Sequence, residues 1–489
     1  MTSLSDLLFE PREVGAADAE RAAAGRVPRS AASDAMEEVL VHTAVDRATR
    51  RELIDEADAV RDALVELGIE PGMRVAVMLG NDAGTIATLF GVWAAHAVYV
   101  PVNPRLTDRE VEHLITAVAP AAVITNPEHD ARVADLQLPE LADAARDDAD
   151  VALVQTTSGT TGRPRPVPLR HSTVLTLLDG VLGTVAGSRD RGQPPMPNLI
   201  PVSLSLWAGI YNVCFAFRVG APVVLMERFE PRELARLVAE HQIRSVVLPP
   251  AAMSMCCDDD ELTSLAPLRY VRSITAPLSP FLARRFHDRF GVAVLNCYGQ
   301  TELGGEVVGW SAADWREFGA TKLGAVGRPH AGVELRVDEA GEVWVRTPVS
   351  RASSATLSER VDEQGWVRTG DCGRIDADGF LWIDGRVSDM VNRGGLKVFP
   401  AEVEEVLRSA PGVEDVAVVG IADDRLGEVP VAFVVGAFDR AELARHAREH
   451  LAPYKIPVRF EAIDALPRNE VGKVLARELI ARANPVDAG

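Results

Sequence analysis

The sequence predicts an α/β protein that ends in a smaller α+β unit. Three observations support this: the chain length, an alternation of strand-like and helix-like segments up to about residue 385, and a change of pattern after it. At 489 residues the chain exceeds one compact core, and ordinary domain sizes suggest about three units, which large α/β domains can merge. An apolar share of 47% beside 25% charged residues is the composition of a globular protein with a sizeable core.

Residues 51–68 place Leu53, Ala57, Val60, Leu64 and Leu67 at helical spacing, and Gly68 followed by Pro71-Gly72 stops the helix. The strand R-V-A-V-M-L-G follows, then a buried helix over 81–97 and a strand over 99–102, which together make a βαβ unit of a parallel sheet. The alternation continues with strands at 121–125 and 151–156, a helix beginning near His171, a helix at 231–241, a strand at 245–248, a helix at 280–290 and a strand at 292–296. After Gly385 the order becomes helix 401–409, strands 416–421 and 429–435, helix 440–451 and strand 458–463. The expected domains are therefore 1–384 and 385–489. The stretches 130–150 and 189–197 read as surface loops, and no internal repeat is present.

A formal net charge of −20 repels phosphate backbones and anionic lipid, and only 5% aromatic residues leaves little to stack on bases, so no nucleic-acid partner is expected. The chain opens acidic, and no apolar run reaches about 18 residues. The expectation is a cytoplasmic protein without a membrane span. Cys214, Cys256, Cys257, Cys297 and Cys372 form no C-x-x-C pair and read as reduced, mostly core thiols. Only Lys322, Lys397, Lys455 and Lys473 are lysine, so a chain that otherwise uses Arg keeps Lys at four places.

Several segments carry chemistry. The run T-T-S-G-T-T-G-R-P-R-P, 156–166, follows the strand V-A-L-V. Gly159 and Gly162 permit sharp turns that expose N–H groups, Thr157, Ser158, Thr160 and Thr161 add hydroxyls, and Arg163 and Arg165 add charge, a set suited to an oxygen-rich anion. It is no Walker loop, since no Lys follows the second glycine, and taken alone a solvated polar loop is the plainer reading. In N-C-Y-G-Q-T-E-L-G-G, 296–305, Tyr298 beside Gly299 offers a flat face to a base, Thr301 a hydroxyl to phosphate and Glu302 a hard oxygen to Mg²⁺. In R-T-G-D-C-G-R-I-D, Asp371 could accept two hydrogen bonds from a ribose diol, although an Asp between glycines is often only a turn former. The segment D-G-R-V-S-D-M-V-N-R-G-G-L-K-V-F-P-A-E-V-E joins the two domains through Arg386, and P-R-N-E-V-G-K sets Lys473 in a glycine loop before a terminal helix. His171 reads as structural, and the acidic run 258–261 as a solvated helix start rather than a metal site.

These motifs, in this order, resemble the adenylate-forming superfamily of acyl-CoA synthetases, peptide-synthetase adenylation domains and luciferases, from about residue 49 to 482. The resemblance implies a large N-terminal domain with mixed, mostly parallel sheets and a small mobile α+β C-terminal domain. It implies that a carboxylate attacks the α-phosphate of ATP, with Mg²⁺, to give an acyl-adenylate and pyrophosphate, and that the acyl group then passes to coenzyme A. A separate carrier-protein thiol, an amine or a nitrite-type nitrogen nucleophile is the alternative acceptor. A degenerate nucleotide-binding homologue is the non-enzymatic alternative. By the same resemblance, residues 157–162 with Arg165 hold the β and γ phosphates, Thr301 contacts phosphate and Glu302 coordinates Mg²⁺. Tyr298 stacks on adenine beside Thr275 and Ala276, Asp371 holds the ribose with Arg386 nearby, and Lys473 bridges the carboxylate and the α-phosphate. Ser388 marks the hinge of the small domain, Gly394 and Gly395 line the path of the pantetheine thiol, and Lys397 reaches a CoA phosphate.

The chain departs from the family pattern at several places. Arg165-Pro166 replaces Lys-Gly, Leu204 stands where an aromatic or His often meets the acyl group, Thr275 replaces Gly, Ser388 replaces Asp or Lys, and 351–360 replaces the segment before R-T-G-D. Together these departures point to a specialised substrate and pathway.

Overall fold

The computed structural model describes residues 3–9, 37–43, 46–126, 138–158, 164–185, 195–347, 360–468 and 474–483. The chain divides into two compact units, one built on the residues through Leu248 with 259–272 and 299–306, the other on 249–258, 273–298 and 307 onward.

In the first unit, α1 (Arg50–Glu66) begins at a capping box in which Thr49 accepts from Glu52 N and the Glu52 carboxylate accepts from Thr49 N. Strand β1 (Arg74–Met78) leads to α2 (Ala83–Ala94), which Asp82 caps by accepting from Thr85 N. Most of α2 is buried because it is apolar all round. The two helices approach closely at Gly91, where a Cβ would lie 2.6 Å from Ala57 O. Strands β2 (Val98–Pro101), β3 (Ala122–Thr125) and β4 (Val151–Ser158) pair in parallel with one another or with β1, giving the order β3-β1-β2-β4 with the expected βαβ crossover.

The sheet carries one strand that the sequence reading treats as loop. Strand β5 (Pro164–Arg170) lies antiparallel to β4 at the sheet edge. Pro164, Pro166 and Pro168 occupy alternate positions, so the missing N–H groups all fall on one side while Arg165, Val167 and Leu169 can donate toward β4. An edge written this way offers no donors to a further strand, which guards against unwanted pairing. Pro166, one of the departures from the family's phosphate-loop pattern, therefore sits in this strand, paired with Thr156.

Helix α3 (His171–Val185) follows directly. His171 is buried and its Nδ1 accepts from Leu4 N at 3.1 Å, and burial pushes its pKa down to about 4, so it serves as a neutral structural acceptor. Helix α4 (Trp207–Arg218) completes this part of the core.

In the second unit, α5 (Pro280–Phe290) is capped by Ser279 and stopped by Gly291 in the left-handed region. Strand β6 (Ala293–Gln300) follows, and β7 (Gly305–Gly309) returns after a short turn. Strands β8 (Glu334–Val337), β9 (Glu342–Arg346), β10 (Val367–Ile375) and β11 (Leu381–Arg386) form an antiparallel sheet in chain order. Asp371 therefore lies inside a strand rather than in a simple turn.

The C-terminal α+β region follows its expected order. The β12 (Val391–Arg393) and β13 (Leu396–Val398) hairpin precedes α6 (Pro400–Arg408), β14 (Asp415–Asp423), β15 (Gly427–Val435), α7 (Arg440–His450), β16 (Arg459–Ala462) and α8 (Ala476–Ala483). One face of this sheet buries Val403, Leu407, Leu443 and Ala447 with Val416 and Val418, and the other buries Leu479 and Ala483 with Val419 and Phe433. Alternation along β14 sends successive valines to opposite faces, which is why helices cover both. No helix among the described residues is long and apolar enough to cross a membrane. All five cysteines are free thiols, four of them buried and Cys297 partly so.

Candidate active site

In the first unit the expected phosphate and metal groups sit on a rigid turn. Between β6 and β7 the chain makes one turn of 3₁₀ helix, Thr301–Leu303, closed by Gly304 at φ 83°. Thr301 and Glu302 are both half-buried there. A Cβ at Gly299 would lie 2.0 Å from Gly305 O, and one at Gly304 would lie 2.5 Å from Leu177 Cδ1, so two glycines let the backbone close tightly. The Gly304 carbonyl accepts a 3.0 Å hydrogen bond from the buried Trp207 indole, which ties the turn to α4. Sequence reasoning passed over Trp207, although an indole N–H in an apolar helix start needs an acceptor and so signals such a tether. Replacing Trp207 with Phe keeps the ring and removes the donor. We expect this variant to stay folded and to lose about tenfold in kcat/KM for ATP, consistent with about 1–2 kcal/mol for one lost bond to a buried carbonyl; unchanged kinetics would remove the indole from this role.

A second clamp fixes the segment around Leu204. Asn81 donates to Val202 O and Met226 O, each at 3.0 Å, and its Oδ1 accepts from Leu204 N at 2.7 Å. The Leu204 side chain is buried in the apolar core of this unit. Arg165 is exposed on β5 opposite Thr157. Gly159, Thr160, Thr161, Gly162 and Lys473 lie outside the described residues, and of Thr157 and Ser158 only the backbone, at the end of β4, is described.

In the second unit three expected residues converge. The Tyr298 hydroxyl donates to Asp371 Oδ2 at 2.6 Å, and Arg386 Nε lies 3.2 Å from Asp371 Oδ1. Asp371 and Arg386 are directly opposite in the β10–β11 register, which is what brings them together. Asp371 is only 4% exposed, and its backbone N–H donates to Thr369 Oγ1, which in turn donates to Val343 O. Burial, and then the adjacent Asp371 charge, push the Tyr298 pKa up, so the phenol remains a proton donor at neutral pH. A carboxylate is an acceptor-only group with two oxygens, the type of group that can take hydrogen bonds from a diol.

Thr275, exposed, holds φ at 70°, and Ala276 beside it is half-buried. A β-branched residue in the left-handed region is strained, and such strain persists where the surroundings demand a particular turn. We expect Thr275→Gly to raise Tm by about 1–2 °C by releasing about 1 kcal/mol of strain; a fall in Tm in calorimetry would mean the Thr side chain contributes more than the strain costs.

The remaining expected groups lie in the C-terminal part. Ser388 is exposed in the turn Val387–Asp389, its hydroxyl donating to Asp389 Oδ1 at 2.8 Å. Gly394 and Gly395, at φ 62° and 88°, make the two-residue turn between β12 and β13, a conformation that favours glycine. Lys397 donates to Ala340 O at 2.8 Å.

Glu302 suits a Mg²⁺ ion, since a carboxylate is a hard oxygen ligand and the Trp207 bond holds the turn that carries it. Two family descriptions match the chain: AMP-binding enzyme over residues 27–351, and AMP-binding enzyme C-terminal domain over 402–473. Feruloyl-CoA synthase from Amycolatopsis sp is 32% identical over 470 residues, covering 89% of this chain and 94% of its own. The fatty acid–[acyl-carrier-protein] ligase ScoC from Streptomyces coeruleorubidus is 30% identical over 481 residues, covering 88% and 91%. The solved amide bond synthetase McbA from Marinactinospora thermotolerans matches with a TM-score of 0.79 at 27% identity, covering 92% of this chain and 98% of its own.

Proposed function

The chain belongs to the AMP-binding enzyme family, and on that footing we propose that it activates a small carboxylic acid with ATP and Mg²⁺, releases pyrophosphate from an acyl-adenylate, and passes the acyl group to the thiol of coenzyme A. The observation that carries this reading is the Tyr298–Asp371–Arg386 group, in which a carboxylate on a buried residue is met by a phenol and a guanidinium.

The first reaction brings two anions together, so cations and N–H donors must offset charge that develops at the α-phosphate. Asp371 fixes the ribose, the Tyr298 ring packs on adenine, and Thr275 with Ala276 shapes the adenine edge. Residues 157–162 and Arg165 hold the β and γ phosphates, Thr301 donates to phosphate oxygen, and Glu302 ligates the metal. The Mg²⁺ ion supplies charge neutralisation at the polyphosphate. Lys473 bridges the attacking carboxylate and the α-phosphate, stabilising charge without moving a proton. The small domain, 385–489, turns about Ser388 so that Gly394 and Gly395 line the thiol path, with Lys397 exchanging its backbone partner for a CoA phosphate.

The acid is small and belongs to a specialised pathway, and the enzyme works in the cytoplasm. A carrier protein as acceptor finds support in one relative, whose name specifies an acyl-carrier protein. Pyrophosphate release is to be measured across a panel of carboxylic acids with and without CoA. Acid-dependent release with CoA-dependent thioester formation supports the proposal. Release without thioester moves the acceptor to a carrier thiol, an amine or nitrite, and silence across aryl, aliphatic and amino acids contradicts activation altogether.

A further inference from the structure

The last turn of α7 gathers a donor set that the adenylation chemistry does not use. His446, Glu449 and His450 each present one ligand atom, and these atoms lie within 4.8 Å of one another. A 3.6-residue period puts the three on one helix face. The two imidazole rings stand 4.3 Å apart between centroids.

Each ring is already oriented by a carbonyl. His446 Nε2 lies 3.1 Å from Val406 O and 3.0 Å from Ser409 Oγ, while the Ser409 hydroxyl itself donates to Val406 O at 2.7 Å. The proton on that face therefore belongs to His446 Nε2, which leaves Nδ1 as the lone pair. His450 Nδ1 lies 2.8 Å from His446 O and so carries its proton there, leaving Nε2 as the lone pair. A metal-binding histidine ordinarily donates its second nitrogen to such a partner, which sets the tautomer and aims the ring.

From this geometry we propose that His446, His450 and Glu449 form a binding site for a divalent transition-metal ion, Zn²⁺ being the natural occupant. Two imidazoles and a carboxylate favour Zn²⁺, Ni²⁺ or Cu²⁺ over Mg²⁺, so the site does not compete for the ion at the ATP polyphosphate. Metal–nitrogen bonds of about 2.0–2.1 Å require the ligand atoms to draw together by about 1–1.5 Å, within reach of exposed side chains. The competing partner of Glu449 is Arg445 at 2.7 Å, but with these side chains 51% and 63% exposed that pair is worth at most about 1 kcal/mol. The C-terminal end of α7 carries partial negative charge, which also favours a cation. Water completes the coordination, since three protein ligands leave positions open.

An ion here would hold the last turn of α7, whose Leu443 and Ala447 pack into the C-terminal core. Binding of Zn²⁺ to the tag-free, full-length protein is to be measured by competition with a chromophoric chelator, with Mg²⁺ as the control ion. We expect one Zn²⁺ at micromolar affinity, a Tm that rises with Zn²⁺, and no response to Mg²⁺. His450→Ala is expected to weaken binding by about tenfold or more while the metal-free Tm stays unchanged, and Glu449→Ala to weaken it several-fold. His446→Ala is the poorer test because it also removes the contact to Val406 O. No binding at about 100-fold above the expected dissociation constant, or Zn²⁺ binding that His450→Ala leaves unchanged, overturns the proposal.

Discussion

Asn in place of Asp371 is expected to cut the kcat/KM of adenylation for ATP by about 100-fold or more, most of it through a higher KM for ATP. Asp371 is 4% exposed and its carboxylate receives the Tyr298 hydroxyl at 2.6 Å, so the site is organised around that carboxylate. The amide removes that charge and turns an acceptor into a donor facing either the phenol or Arg386. A ribose diol then loses its charged acceptor, and the phenol loses a charge-assisted bond. Pyrophosphate exchange at varied ATP reads the effect. Because a polar mismatch at a buried position also costs stability, about 1–3 kcal/mol, the melting temperature must be followed alongside. A KM for ATP close to that of the parent would show that Asp371 only supports the strand.

Lys473→Ala is expected to slow adenylation by about 1000-fold while leaving thioester formation from preformed acyl-adenylate within a few-fold of the parent. In the proposed mechanism the ammonium acts where negative charge grows as carboxylate oxygen meets phosphorus, and removing one such preorganised charge costs about 3–4 kcal/mol of barrier. The second reaction expels AMP and has no carboxylate to hold, so the split between half-reactions is the informative quantity. Equal loss in both would assign Lys473 a general structural role, and loss in neither would remove it from the mechanism.

The sequence reading and the structure agree most closely where local rules decide. Apolar period and the stop at Gly68 place α1 to within two residues at either end, and the structure adds the Thr49–Glu52 capping box at its start. Strand β5 lies where the sequence suggests a phosphate loop rich in prolines. Their alternation at 164, 166 and 168 was the visible sign of an edge strand, and only the pairing with β4 explains it.

For the site, the residue types were legible and the contacts between them were not. Tyr298 and Asp371 stand 73 residues apart, and nothing local in either segment announces a 2.6 Å bond between them. The strain at Thr275 was half-visible, as a Thr where glycine is common, but the φ of 70° required the fold. The Trp207 tether depended wholly on tertiary placement, since its acceptor lies 97 residues away. The histidine pair of α7 was open to reading from its spacing alone, yet the carbonyls that orient both rings come from the packing of α6 and from the helix backbone.

Acid labelled with heavy oxygen in its carboxylate provides the decisive measurement. With unlabelled ATP, Mg²⁺, CoA and the acid that releases pyrophosphate, mass analysis of the nucleotide product is expected to show AMP carrying one heavy oxygen per turnover, transferred when the carboxylate attacks the α-phosphate. Unlabelled AMP, or ADP with the label in inorganic phosphate, would contradict adenylate formation.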